Sequence, residues 1–224
     1  MLIPVNQSVA KIKPMILNRS TTYTINSDGY RCPEWDQIDW KNSHLLFGCS
    51  VVHGVGLEDN DTLDKQLSKL LNEPVINLGI GGGSLPFILA NTYKLIDAGI
   101  RPKSVILVEP EPSRIALFYK DKTEHVGAWV LKRGSEDRNN WYHAWVKDNN
   151  AEVYGNLASR GIRTAWEHIG ITFVNTFQPL CPGEQDLPIY VDVAQDGQHP
   201  GPNTIKLWAE HIANKKARLS ELLG

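Results

Sequence analysis

Ser50 and His199 lie 149 residues apart, yet each stands in a context that suits it to one reaction. Ser50 belongs to Phe47-Gly48-Cys49-Ser50-Val51-Val52-His53-Gly54-Val55-Gly56, directly after the apolar pair Leu45-Leu46. A serine on a tight glycine turn after a strand exposes its hydroxyl. His199 belongs to Asp196-Gly197-Gln198-His199-Pro200-Gly201. A carboxylate three residues before a histidine can accept the imidazole Nδ1–H and leave Nε2 to draw a proton from a hydroxyl. If folding joins the two segments, Ser50, His199 and Asp196 supply the nucleophile, base and orienting acid of an acyl-transfer enzyme. Taken alone, Ser50 serves equally well as a helix N-cap. His44, His53, His125, His143, His168 and His211 lack the arrangement of His199. His53 follows Ser50 too closely in a tight turn to point back at it, and is expected to line the site or support it.

A second segment, Asn77-Leu78-Gly79-Ile80-Gly81-Gly82-Gly83-Ser84, reads as a glycine-rich turn from strand to helix. Such a turn presents backbone N–H groups to an anion or an oxyanion. A dinucleotide site fits poorly, because Gly79-x-Gly81-x-x-Ser84 lacks the third glycine and no acidic residue follows at the usual spacing of about twenty. A phosphate loop would need a Lys-Ser/Thr pair that is absent here. No set of His, Cys and carboxylate residues has metal-ligand spacing. Neither a cofactor nor a metal is expected.

The elements around these motifs alternate. Leu45-Leu46-Phe47 reads as a short buried strand, and residues 62–71 as an amphipathic helix with Leu63, Leu67, Leu70 and Leu71 on one face. Val75-Ile76-Asn77-Leu78 reads as a second strand. Ser84 and Pro86 open a helix to about Ala98, which Gly99 and Pro102 end. Residues 104–108 are apolar after the serine, as in a strand covered on both faces. Further helices are expected at 113–119, at 151–168 and from Gly201 or Pro202 onward, with a strand at 171–174 and a Pro-rich loop over 175–195. Strand–helix alternation predicts a three-layer α/β/α fold around a parallel sheet. Ligands then bind outside the carboxyl ends of the strands, where Ser50, Gly79 and Glu111 all fall. Residues 1–43 are polar and irregular and read as an extension laid over a core at 44–224, with a Trp-rich insert at about 120–150.

With 224 residues the chain is long enough for one full-sized core. Its net charge of −2 comes from interspersed charges, which argues against nucleic acid as a partner. Cys32, Cys49 and Cys181 are odd in number and suggest free thiols in a reduced compartment, with one disulfide as the alternative. No stretch reaches the ~20 apolar residues of a membrane span, and the first residues do not read as a signal peptide. A soluble protein is expected, either cytoplasmic or released by a route that needs no signal peptide.

Together these motifs resemble the SGNH-type (GDSL-like) hydrolases, in the subset with Gly-Cys-Ser at the first block. Gly48-Cys49-Ser50 with Gly54 and Gly56 matches that block, Asn77, Gly79 and Gly82 match the Asn-x-Gly-x-x-Gly block, and Asp196 with His199 matches the last. Ile25-Asn26-Ser27-Asp28-Gly29-Tyr30-Arg31 is similar to a segment that often precedes the first block. The resemblance implies a flavodoxin-like fold, a Ser50–His199–Asp196 triad, an oxyanion site at the N–H groups of Ser50 and Gly79, and hydrolysis of small-molecule or glycan esters. One block departs. Glu111 stands where the family has an oxyanion-binding asparagine, and an ionised carboxylate cannot donate a hydrogen bond. Asn77 and Asn91 are candidate substitutes. The alternatives are a catalytically silent domain of the same fold acting as a binding or structural module, and a nucleotide-binding α/β protein.

Overall fold

The computed structural model describes residues 2, 21, 23–120, 122–133, 135–177 and 187–223. Cys181 and much of the expected loop at 175–195 lie outside them. The elements in chain order are β1 (His44–Phe47), α1 (Ser50–His53), α2 (Leu63–Leu71), β2 (Val75–Asn77), α3 (Leu85–Asp97) and β3 (Ser104–Glu109). They continue with β4 (Ile115–Phe118), β5 (Thr123–Val126), α4 (Val130–Arg133), α5 (Glu136–Val146), α6 (Asn150–His168), β6 (Thr172–Phe177) and α7 (Pro202–Leu223).

Strands β2, β1, β3 and β6 form one four-stranded sheet in that order, and every pairing is parallel. Alternation along the central strands sends side chains to opposite faces. Leu45, Phe47, Val105 and Leu107 bury against α3 and α6, where Phe87, Ile88, Ile162 and Trp166 complete one core. Leu46, Ile106 and Val108 bury against Leu63 and Leu67 of α2 and Ile205, Trp208 and Ile212 of α7. The result is the expected three-layer α/β/α arrangement. Its short first connection, β1 to α1, brings Ser50 to the carboxyl edge of a central strand.

The segment before β1 lies across this framework. Tyr30 is fully buried in the first core beside Ile38, and Asn91 of α3 donates to its hydroxyl at 3.0 Å.

One element differs in type from the reading of the sequence. Residues 115–118 were expected in a helix at 113–119 but form β4, antiparallel to β5 with Ile115 opposite Val126 and Phe118 opposite Thr123. Alternate side chains face different partners. Ile115 and Leu117 pack on Val126, Val130 and Tyr142, while Ala116 joins the main core and Phe118 stacks on Phe87. Contacts on both faces, with Phe118 still half exposed, suit a period of two. The insert at 120–150 is correspondingly more ordered than its composition suggested, holding β5, α4 and α5. No helix among the described residues is long and apolar enough to cross a membrane.

Candidate active site

Gly48 lets the chain leave β1 sharply, since a Cβ there would stand 2.4 Å from Val52 Cγ2. Ser50 is then the first residue of α1, and Gly54 ends that turn in the left-handed region at φ 78°. The turn is held from behind by Arg31. Its guanidinium donates to the carbonyls of His53 at 3.1 Å, Gly54 at 2.8 Å and Leu57 at 2.9 Å. It also donates to Asp59 Oδ1, from Nη2 at 2.6 Å and from Nε at 3.1 Å. Arg31 is buried. The sequence singled out its segment without assigning it this task.

The loop carrying Asp196 and His199 closes on itself through Ala194 N–H to His199 O at 2.8 Å and Gly197 N–H to Ala194 O at 2.9 Å. Gln195 N–H donates to Gly56 O at 3.2 Å, which ties this loop to the turn that follows Ser50. Asp192 fastens the other end, accepting from the backbone of Asn203 at 3.0 Å and Thr204 at 2.8 Å at the start of α7. These ties bring the three expected residues together. Asp196 Oδ2 is 2.5 Å from His199 Nδ1, and His199 Nε2 is 2.9 Å from Ser50 Oγ. Burial pushes the Asp196 carboxyl up, but donation from the His199 ring and from the backbone N–H groups of His199 and Gln198 outweighs it and holds the group below its usual range. An ionised Asp196 accepts from Nδ1–H, so Nε2 is left to accept the Ser50 hydroxyl proton.

The glycine turn corrects two expectations. Gly79 N–H donates to Asn77 Oδ1 at 3.0 Å and is not directed at an oxyanion. Its glycine is needed for close packing, because a Cβ would stand 2.5 Å from the backbone nitrogen of His53. Asn77 Nδ2 is committed as well, to Val52 O at 2.7 Å and Asp64 Oδ1 at 2.8 Å. Neither Asn77 nor Asn91 lines the cleft at Ser50. Gly81 and Gly82 do line it. Among the described residues, the backbone N–H groups of Ser50, Gly81 and Gly82 have no acceptor.

Glu111 lies two residues beyond the end of β3. Its carboxylate is turned to Arg114, with Oε2 3.9 Å from Nε, and does not line the cleft. The cleft measures about 450 Å³ and is walled opposite Ser50 and His199 by Arg114, His125 and Trp129. The sequence did not mark these three. Only the tryptophan-rich composition of the insert pointed toward a substrate wall. Among the described residues, no group of three His, Cys, Asp or Glu could hold a metal ion. Cys32 and Cys49 form no disulfide among the described residues.

His53 is buried, with Nδ1 3.3 Å from Gly79 O and its ring edge-on to Tyr23 at 5.5 Å. Burial, aided by the charge of Arg31, pushes its pKa down to about 4. Between that value and the unfolded value of about 6.5, the unfolded chain binds the extra proton, so stability falls as the pH drops through this window. The loss from this residue is expected to be on the order of 3 kcal/mol. Urea unfolding at pH 7, 5 and 4 should show a shallower decline for His53→Gln than for the unaltered protein. Parallel declines would rule out this origin.

A scan against protein-family models finds no match, and neither does a search of curated proteins. Solved structures similar to the chain include SGNH and GDSL-type hydrolases. An acetyl xylan esterase from Butyrivibrio proteoclasticus is 11% identical with a TM-score of 0.43, over 80% of this chain and 64% of that one. A carbohydrate esterase family 2 enzyme with a carbohydrate-binding domain, from Corynascus thermopiles, is 13% identical with a TM-score of 0.42, over 89% and 72%. A GDSL-like lipase from Bacteroides thetaiotaomicron is 15% identical with a TM-score of 0.37, over 83% and 91%. These likenesses are weak and concern the fold; the chemistry rests on the geometry of Ser50, His199 and Asp196.

Proposed function

We propose that this protein is a serine hydrolase of the SGNH type that cleaves carboxylic esters. The observation that carries the reading is the continuous relay from Asp196 through His199 to Ser50, with contacts of 2.5 and 2.9 Å. Ser50 Oγ attacks the ester carbonyl as His199 Nε2 takes its proton, while Asp196 orients the ring and stabilises the imidazolium. The tetrahedral oxyanion is held by the Ser50 N–H at the start of α1 and by the N–H groups of Gly81 and Gly82, a second site in place of Gly79. The imidazolium then protonates the departing alkoxide, leaving an acyl-serine. Water attacks that ester, again giving its proton to His199, and the acid is released as Ser50 recovers its proton. No metal or cofactor takes part in this scheme. The domain at 44–224 carries the chemistry, and the preceding extension supports it through Arg31.

A fluorophosphonate probe tests this directly. It should label Ser50, and the label should be lost in Ser50→Ala and His199→Ala. Absence of labelling, together with no turnover of 4-nitrophenyl acetate or butyrate, would defeat the reading and leave a silent domain of the same fold.

A further inference from the structure

Arg114 occupies the turn between β3 and β4, with its backbone N–H donating to Glu111 O at 3.1 Å. Its side chain is only 17% exposed. An arginine carries five N–H donors, and buried polar groups are normally hydrogen-bonded. Here Nε has no hydrogen-bond partner among the described residues. The nearest carboxylate oxygen, on Glu111, is 3.9 Å away, beyond hydrogen-bonding distance. The guanidinium is held by packing instead, its carbon 5.6 Å from the centre of the Trp129 ring. Across the same wall, His125 Nδ1 also has no partner among the described residues, while its ring is edge-on to Phe87 at 4.8 Å. Arg114 and His125 both line the cleft that contains Ser50 and His199. A planar cation with unused donors in a partly desolvated cleft matches a carboxylate, which it can bind through two parallel hydrogen bonds.

We propose that the ester cleaved at Ser50 carries a carboxylate, which Arg114 binds while Trp129 covers the adjoining apolar part. This rests on the serine-hydrolase reading and adds to it the charge of the substrate. Glu111 competes weakly for Arg114 and moderates the grip; it has no part in holding the oxyanion.

Two pairs of esters test the idea and locate the charge. 4-Nitrophenyl hemisuccinate against 4-nitrophenyl butyrate places it on the acyl side, and 4-acetoxybenzoate against methyl 4-acetoxybenzoate places it on the alcohol side. In at least one pair the anionic ester should have the higher kcat/KM. Arg114→Gln should lower that anionic-to-neutral ratio by about 10- to 100-fold, the usual effect of losing a charged hydrogen-bonding partner. Arg114→Lys should retain more of the ratio than Arg114→Gln, and Glu111→Gln should raise it. No preference in either pair, or a ratio unchanged by Arg114→Gln, overturns the proposal. So does an equal loss on both members, which would assign Arg114 to the reacting carbonyl. Calorimetric titration of Ser50→Ala with 4-acetoxybenzoate and with its methyl ester reads binding without turnover. Preferential binding of the anion, lost in Ser50→Ala/Arg114→Gln, supports the carboxylate site even if Ser50 proves unreactive. Equal binding of both compounds by Ser50→Ala, or binding of neither, counts against an alcohol-side carboxylate, and succinate is then titrated for the acyl side; if succinate does not bind, the proposal is overturned.

Discussion

His199→Ala is expected to lower kcat on 4-nitrophenyl acetate by about 10⁴- to 10⁶-fold, and Asp196→Asn by about 10⁴-fold, with little change in KM. Without Nε2 at 2.9 Å, the Ser50 hydroxyl has no acceptor for its proton and stays a weak nucleophile. Asp196→Asn acts differently. An amide can present a donor to Nδ1, which favours the tautomer with the proton on Nε2 and faces a second donor toward Ser50. Because the three side chains work as a unit, the double variant His199→Ala/Asp196→Asn should be no slower than His199→Ala alone within a few-fold. Losses that multiply instead would mean that Asp196 acts on something other than His199. Steady-state kinetics on the four proteins settles the matter.

Arg31→Met is expected to remove about 3–5 kcal/mol of stability, read as a lower midpoint in urea unfolding. The side chain is buried and makes five hydrogen bonds to four partners, three of them backbone carbonyls after Ser50. Methionine fills much of the volume but removes the donor to the His53 and Leu57 carbonyls, Gly54 O keeping Leu57 N–H at 3.1 Å, and each buried carbonyl left without a donor costs about 1–3 kcal/mol. Since the turn they belong to also carries Gly56, which accepts from Gln195, esterase activity should fall along with stability. Arg31→Lys should recover part of the stability, because one ammonium reaches fewer of these acceptors than a planar fork does. A midpoint within error of the unaltered protein would show that the turn holds itself.

Much of this architecture was legible from residue order, for reasons that also explain the failures. Buried parallel strands announce themselves as short apolar runs, so β1, β2 and β3 were placed to within a residue or two of their ends. Leu63, Leu67 and their neighbours fixed α2 by the same logic of one buried face. Residues 115–118 defeated it because four residues are too few to separate two periods; only packing on both faces decides, and that depends on β5 and α5. Asp196 and His199 were readable because their partnership is local, three residues apart. Gly79 was misjudged because a glycine can serve either an open N–H or a close approach, and which one applies depends on where His53 lies in space. Arg114 could not be found at all. Its significance comes from what surrounds it, Trp129 and the cleft, and no spacing rule connects them.

The bond between Ser50 and His199 spans 149 positions of the chain. During synthesis the serine is made early and waits, chemically ordinary, until the last strand of the sheet and the loop beyond it have been added. On the proposed mechanism, a truncated or stalled product therefore carries no unguarded hydrolytic centre. The same separation suits the protein to being cut in two. Fragments divided between the sheet's third and last strands would each be inert toward esters, and turnover would appear only as they reassemble.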